Sequence, residues 1–228
     1  MDQRLRVVES GPSDQLSVIS AVARVNVTER SWPYFADFEG VVGPEWSHRQ
    51  TDVTPLGKRR FLGQYGNETV SLTLNGLPAH EAVMISFDLF VIQSWDADGT
   101  CGAGPDIWQL EPVGGPLLLR ATFSNTAGVG ECPGNAFQSF PGDYPESVFP
   151  AQTGAAERNT LGYPNFGDTV YAVSFAIRHG DPSVRFDFTG MGLEGISDES
   201  WGLDNVRVEL TADPRCPRSG LPVPGGVV

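Results

Sequence analysis

A chain of 228 residues with 40% hydrophobic and 10% aromatic content is long enough for one large β-domain, and too rich in aromatics for intrinsic disorder. Its formal charge of -13 and pI near 4.5 exclude a nucleic-acid partner, because phosphate binding needs clustered Lys and Arg. The 27 Gly and 18 Pro fall between short apolar runs, as in turn-rich β structure.

In chain order, Met1-Asp2-Gln3-Arg4 has no signal-peptide core, and neither end carries an apolar run that could span a membrane. Either the protein is cytosolic, or this is a mature chain or a fragment whose targeting segment was removed; we expect the second, located outside the cell or on its surface. Residues 1–14 are polar and read as loose. Within an N-terminal extension of residues 1–30, Leu16 to Val27 forms one strand with apolar residues on both parities. Such a strand suits the edge of the same domain. It also suits exchange into a neighbouring subunit of a filament or surface layer. Asn26-Val27-Thr28 and Asn67-Glu68-Thr69 match the N-glycosylation pattern of a eukaryotic secreted protein.

The main domain is expected over residues 31–212, with residues 213–228 as a departing tail. Short strands are predicted at Phe35 to Glu39, Arg60 to Tyr65 and Glu68 to Leu74, then a long one at Ala82 to Ser94. In the last, Val83, Ile85, Phe87, Leu89 and Val91 occupy one face, while Met84, Phe90 and Ile92 make the other apolar too, which marks a central strand. Leu77-Pro78 closes a hairpin before it. Asp106 to Leu110 and Pro116 to Phe123 form a pair through Gly114-Gly115. The irregular stretch from Ser124 to Gly167 is expected to be functional, or to hide a strand or short helix around Ala155 to Leu161. Alternation returns at Tyr171 to Ile177 and Val184 to Phe188, across a turn at His179 to Pro182, and ends in Trp201 to Leu210. About ten strands without a convincing helix predict an all-β fold, a two-sheet antiparallel jelly-roll β-sandwich.

In the closing strand Asp204 shares the parity of Val206, Val208 and Leu210, so a carboxylate stands where an apolar side chain is expected. A buried carboxylate needs a partner. Glu39, with Asp37 on its parity, is the expected one across a Ca²⁺ ion, since the first and last strands of a jelly roll can lie side by side. A second acidic cluster, Asp96, Asp98 and Asp106, has the composition of a calcium loop but lacks the EF-hand spacing and closing Glu; it reads as a solvated turn or a second metal site. Cys101 and Cys132 suit a disulfide stapling a Gly-rich excursion, leaving Cys216 over.

His48, His80 and His179 form no pair at ligand spacing, and neither a Gly-x-Ser-x-Gly elbow nor a phosphate loop occurs. An enzyme is not expected; the catalytic alternative is a glycosidase using Asp88 or Asp187. Sugar could instead stack on an aromatic ring, for which Trp46, Trp95, Tyr144 and Tyr163 are the candidates, with Trp108 and Trp201 assigned to the core.

Phe38-Glu39-Gly40, Phe61-Leu62-Gly63, Val83 to Trp95, Asp106-Ile107-Trp108, Thr122 to Asn125 and above all Ser197 to Val206 resemble jelly-roll domains of bacterial secreted and surface proteins. More distantly the chain is similar to calcium-containing carbohydrate-binding modules and concanavalin A-like lectins. That resemblance implies a structural Ca²⁺ between Glu39 and Asp204, and a glycan or another surface protein as partner. The expected function is adhesion or glycan binding by a non-catalytic, calcium-stabilised domain. Assembly by strand exchange through residues 16–27 and a concanavalin-like glycosidase are the alternatives.

Overall fold

The computed structural model describes residues 34–98, 104–126 and 136–212 in full, and the backbone of two further strands. Fifteen strands and no α-helix occur among the described residues. They are β1 (Arg4–Glu9), β2 (Ser17–Ala21), β3 (Tyr34–Ala36), β4 (Thr51–Val53), β5 (Arg60–Tyr65), β6 (Thr69–Asn75), β7 (Ala82–Gln93), β8 (Ile107–Pro112), β9 (Leu119–Thr122), β10 (Phe137–Gln138), β11 (Phe149–Pro150), β12 (Glu157–Arg158), β13 (Asp168–Arg178), β14 (Ser183–Met191) and β15 (Glu199–Thr211). A nine-stranded sheet runs β2-β1-β13-β7-β15-β5-β4, with β12 on β13 and β3 on β15, and it packs on a four-stranded sheet, β6-β14-β8-β9. Strands β10 and β11 form a small separate ribbon. The fold is the all-β jelly-roll sandwich. Its ladders are antiparallel apart from β1 on β13.

The alternating residues of β7 dictate this arrangement. Val83, Ile85, Phe87, Leu89 and Val91 enter the core between the sheets, while Phe90 and Ile92 join Phe61, Leu161 and Val170 in a smaller cluster on the other side. Both faces of β7 are therefore covered, as a central strand requires. In the main core Trp108 lies 5.6 Å from Phe87 and 6.0 Å from Trp201, centroid to centroid. Truncating such a ring to Ala costs ~3–5 kcal/mol. Gly202 is needed where β15 crosses the smaller cluster, because a Cβ there would collide with the Phe61 ring.

The last strand is where simple alternation fails. Trp201 and Leu203 point into the core, and so do Val206, Val208 and Leu210, although the two sets differ in parity. The β7 register shifts between Asp204 and Arg207, and Asn205 has a φ of 51°. This β-bulge absorbs one residue and reverses the alternation. Asp204 is thereby on the outer face, opposite Asp88, and not among the core side chains with which its parity grouped it.

Several expected elements are corrected. The first core strand stops at Ala36, because Phe38 turns the chain with a φ of 56°; Glu39 is in a bend. That strand does pair with β15, Ala36 against Val206. Leu77-Pro78 joins strands of different sheets, so it is an arch and not a hairpin turn. Residues 4–9, expected to be loose, form β1 and pair with Val173 to Ile177, and β2 pairs with β1. The irregular stretch hides β10, β11 and β12. Cys101, Cys132 and Cys216, residues 213–228 and the Asn26 sequon lie outside the described residues.

Candidate functional site

The bulge makes a polar cluster on the outer face of the large sheet. Asn205 donates through Nδ2 to Asp88 Oδ2 at 2.9 Å, and through its backbone N–H to Asp204 Oδ1 at 2.8 Å. Arg59, from the turn between β4 and β5, reaches all three nearby acids. It lies 2.9 Å from Glu157, 3.8 Å from Asp204 and 4.0 Å from Asp88. Its guanidinium also stacks 4.7 Å from the centroid of Phe90, which fixes the plane of the fork. Burial pushes the Asp204 carboxyl up to about 6 against the pull of the Asn205 N–H and Arg59. Burial also raises Asp88, opposed by Asn205 and Arg59.

One flank is built from the 159–167 loop. Asp168, buried at the start of β13, accepts the N–H groups of Leu161, Gly162 and Tyr163 at 2.9, 2.9 and 3.1 Å. Leu161 packs into the smaller apolar cluster, and the half-buried Tyr163 packs against it. Gln64 ties this flank to the sheet: it accepts from Ser200 Oγ at 2.6 Å and donates to Asp52 at 2.6 Å and Tyr163 OH at 3.4 Å. The face thus presents a guanidinium, an amide, carboxylates and a phenol at fixed positions. Such a set can bond adjacent hydroxyl groups while the tyrosine ring offers an apolar surface.

The structure separates the predicted site residues. Glu39 is exposed and accepts the Arg60 N–H at 3.1 Å, tying its bend to the start of β5, while Asp37 accepts the Glu39 N–H at 3.2 Å and holds a local turn. Glu39 is near enough to raise Asp204, but the cation facing Asp204 is Arg59, which no periodicity marks. Trp46 and Trp95 are corrected to core residues. Trp46 is 1% exposed and donates to Tyr34 OH at 2.7 Å; Trp95 is fully buried and donates to the Ser200 carbonyl at 2.9 Å. Neither ring can stack on a ligand from solvent. Tyr144 is half-buried beside a small cavity with Gln138 and Ser139, and Tyr163 packs against the smaller apolar cluster, whose Phe90 ring carries Arg59. Asp88 and Asp187 stand on different sheets, the latter paired with Arg185 at 2.8 Å, so the two glycosidase candidates do not converge. Asn67 exchanges hydrogen bonds with the Leu193 backbone, which occupies the amide a glycan would need.

Two constellations join residues that the sequence reading did not pair, one of them containing the metal candidate Asp106. His80 and His179, 99 residues apart, meet with Nε2 and Nδ1 at 2.8 Å and rings stacked 5.1 Å apart. They line a groove of about 840 Å³ at one end of the sandwich, and burial and His80 push His179 down. The signal was present, since both flank arches between the sheets. The second is the carboxyl pair Asp106 and Glu199, both fully buried. Asp106 Oδ2 accepts the Asp96 N–H and Glu199 Oε2 accepts the Glu194 N–H, but Asp106 Oδ1 and Glu199 Oε1 have no donor. Burial and the neighbouring acid raise Asp106 to about 9, and burial raises Glu199 to about 7. Asp96 is half-buried beside the pair and Asp98 is exposed. Among the described residues, no group of three or more His, Cys, Asp or Glu side chains is placed to hold a metal ion.

No protein-family model and no curated protein matches the sequence. Among solved structures, the C-terminal CBM6 of LamC, a marine laminarinase from Zobellia galactanivorans, overlays with a TM-score of 0.35 at 12% identity, covering 78% of this chain and 98% of that one. An exo-β-1,3-galactanase from Phanerochaete chrysosporium gives 0.34 at 11% identity over 83% of this chain, and the mosquito-larvicidal Cry4Aa toxin from Bacillus thuringiensis gives 0.33 at 7% over 76%. The chain spans only 30% and 22% of those two proteins. Overlays this loose carry no assignment of family or ligand.

Proposed function

We propose that this is a non-catalytic recognition domain, secreted or displayed on a cell surface, that binds a glycan on the outer face of its large sheet. One observation carries the reading: Asp88 and Asp204 oppose each other at a bulge, with Arg59 and Asn205 holding their oxygens. Side chains already fixed by one another lose little entropy on binding, which is how a shallow polar face gains affinity for hydroxyl groups. Tyr163, held by the Asp168 anchor, supplies the ring. A glycan array on the full chain, followed by calorimetry on its best ligand, tests this. Asp88→Asn keeps the shape and removes the charge, and should weaken binding ~10-fold by removing a charge-assisted hydrogen bond. Absence of any glycan ligand, or unchanged affinity in Asp88→Asn, would overturn it. The same assay reads the glycosidase alternative, which the opposed acids and the raised Asp204 favour. Turnover of the bound sugar that Asp88→Asn abolishes would identify an enzyme.

A second reading, assembly by strand exchange, is favoured by the placement of β1. That strand, and not β2, lies directly on β13. Its departure would leave the β13 edge open to the same segment of another copy. Deleting residues 1–30 should then abolish polymers in sedimentation while leaving a folded monomer, and polymers that persist would exclude exchange through this segment.

A further inference from the structure

We propose that Asp106 and Glu199 bind a divalent cation of the Ca²⁺ class between the start of β8 and the start of β15. Each carboxyl has one oxygen committed to a backbone donor, Asp96 N–H for Asp106 and Glu194 N–H for Glu199. The other two oxygens, Oδ1 and Oε1, are buried without a donor, and each carboxyl perturbs the ionisation of the other. No Lys, Arg or His among the described residues pairs with either acid. Two buried negative charges with no counter-charge repel each other and forgo hydration, and nature compensates such pairs with a proton or a metal.

The donor chemistry selects the ion. Among the described residues the buried atoms left without a donor in the two acids are carboxylate oxygens, which disfavours zinc and copper and suits a hard cation. Two carboxylates fill part of the ~6–8 oxygen shell of Ca²⁺, and backbone carbonyls and water supply the rest. Asp96, half-buried and with Oδ1 held by Thr126 at 2.8 Å, adds negative potential to both acids. The site is separate from the Arg59 cluster and does not depend on what that face binds.

The position of Trp95 provides the probe. Its indole donates to the carbonyl of Ser200, next to Glu199, and it precedes Asp96 in the chain. Terbium, a luminescent substitute for Ca²⁺, should emit on tryptophan excitation when added to the chelator-treated full chain, and Ca²⁺ should quench that emission by displacement. Glu199→Gln should weaken terbium and Ca²⁺ affinity ~10-fold or more by removing a charged ligand. Asp204→Asn should bind terbium as the wild type does. A thermal melt of the unmodified chain, with a rise in midpoint on adding Ca²⁺ over chelator, requires no variant and guards against a substitution that fails to fold. A wild-type chain that shows neither sensitised emission nor a Ca²⁺-dependent midpoint would overturn the proposal, leaving a shared proton between the acids. Loss of binding in Asp204→Asn with retention in Glu199→Gln would overturn it too, by placing the ion on the outer face.

Discussion

The molecule carries two opposed acid pairs that solve one electrostatic problem in different ways. Asp88 and Asp204 share the outer face with Arg59 and Asn205, so each oxygen that leaves water meets a cation or an amide. Asp106 and Glu199 are fully buried, each with one oxygen on a backbone donor and the other oxygen without any. The difference shows in their proton affinities. Asp204 rises only to about 6, whereas Asp106 rises to about 9. A pair with its own counter-charge can stay ionised at neutral pH and present that charge to a partner. A pair without one must acquire a proton or an ion, and that requirement points to a structural role.

The sharpest way to break this comparison is to change only the buried pair. In chelator, Glu199→Gln should stabilise the fold by about 1 kcal/mol, because a neutral amide that can hydrogen-bond the protonated Asp106 replaces an acid whose ionisation the buried site opposes. In saturating Ca²⁺ the order should invert, with the wild type more stable. Denaturant melts at neutral pH in both media read this directly. The same order in both media would mean that the pair makes no use of a cation.

The next effect belongs to the outer face. Arg59→Met keeps much of the stem packing over Phe90 but leaves Asp204 and Asp88 without their cation, at a cost of about 1–2 kcal/mol given the partial exposure of the group. Adding Asp204→Asn should restore most of that loss, and a double-mutant cycle measures the coupling. Additive losses would show that Arg59 serves Glu157 alone.

Most of the fold was legible because β7 and β13 are long runs whose alternation survives into the structure. The β5 bounds match the predicted Arg60 to Tyr65. What alternation could not reveal was a break in itself. Asp204 takes core parity only if the strand is counted straight through Asn205, and the bulge moves it to the other face. Trp46 illustrates a second limit: it sits outside any periodic run, so it read as a loop residue, yet a bridge to Leu72 and contact with Phe38 and Phe188 place it in the core. Arg59, the His80 and His179 pair, and Glu199 against Asp106 depend on contacts between residues far apart in the chain. Those distances follow from sheet order, which no local pattern encodes.

The last prediction is a pH dependence of Asp204, whose lower window, and not its sign, separates it from the buried pair. The folded carboxyl binds its proton more tightly than the ordinary value of 3.8 allows, with an affinity near 6. Folding is therefore favoured by that proton: the contribution is complete below the ordinary value and is lost as pH rises through about 6. Asp204→Asn, which cannot ionise, should remove this slope. The midpoint difference between wild type and variant should thus change between pH 4 and pH 7, over ~3 pH units, and be flat above. Any wild-type slope remaining above that window belongs to the buried pair, and Ca²⁺ should abolish it. A wild type that instead gains stability relative to Asp204→Asn as pH rises from 4 to 7 would show that Arg59 outweighs burial at Asp204, and would erase the distinction drawn between an outer pair held near neutrality and an inner pair that needs an ion.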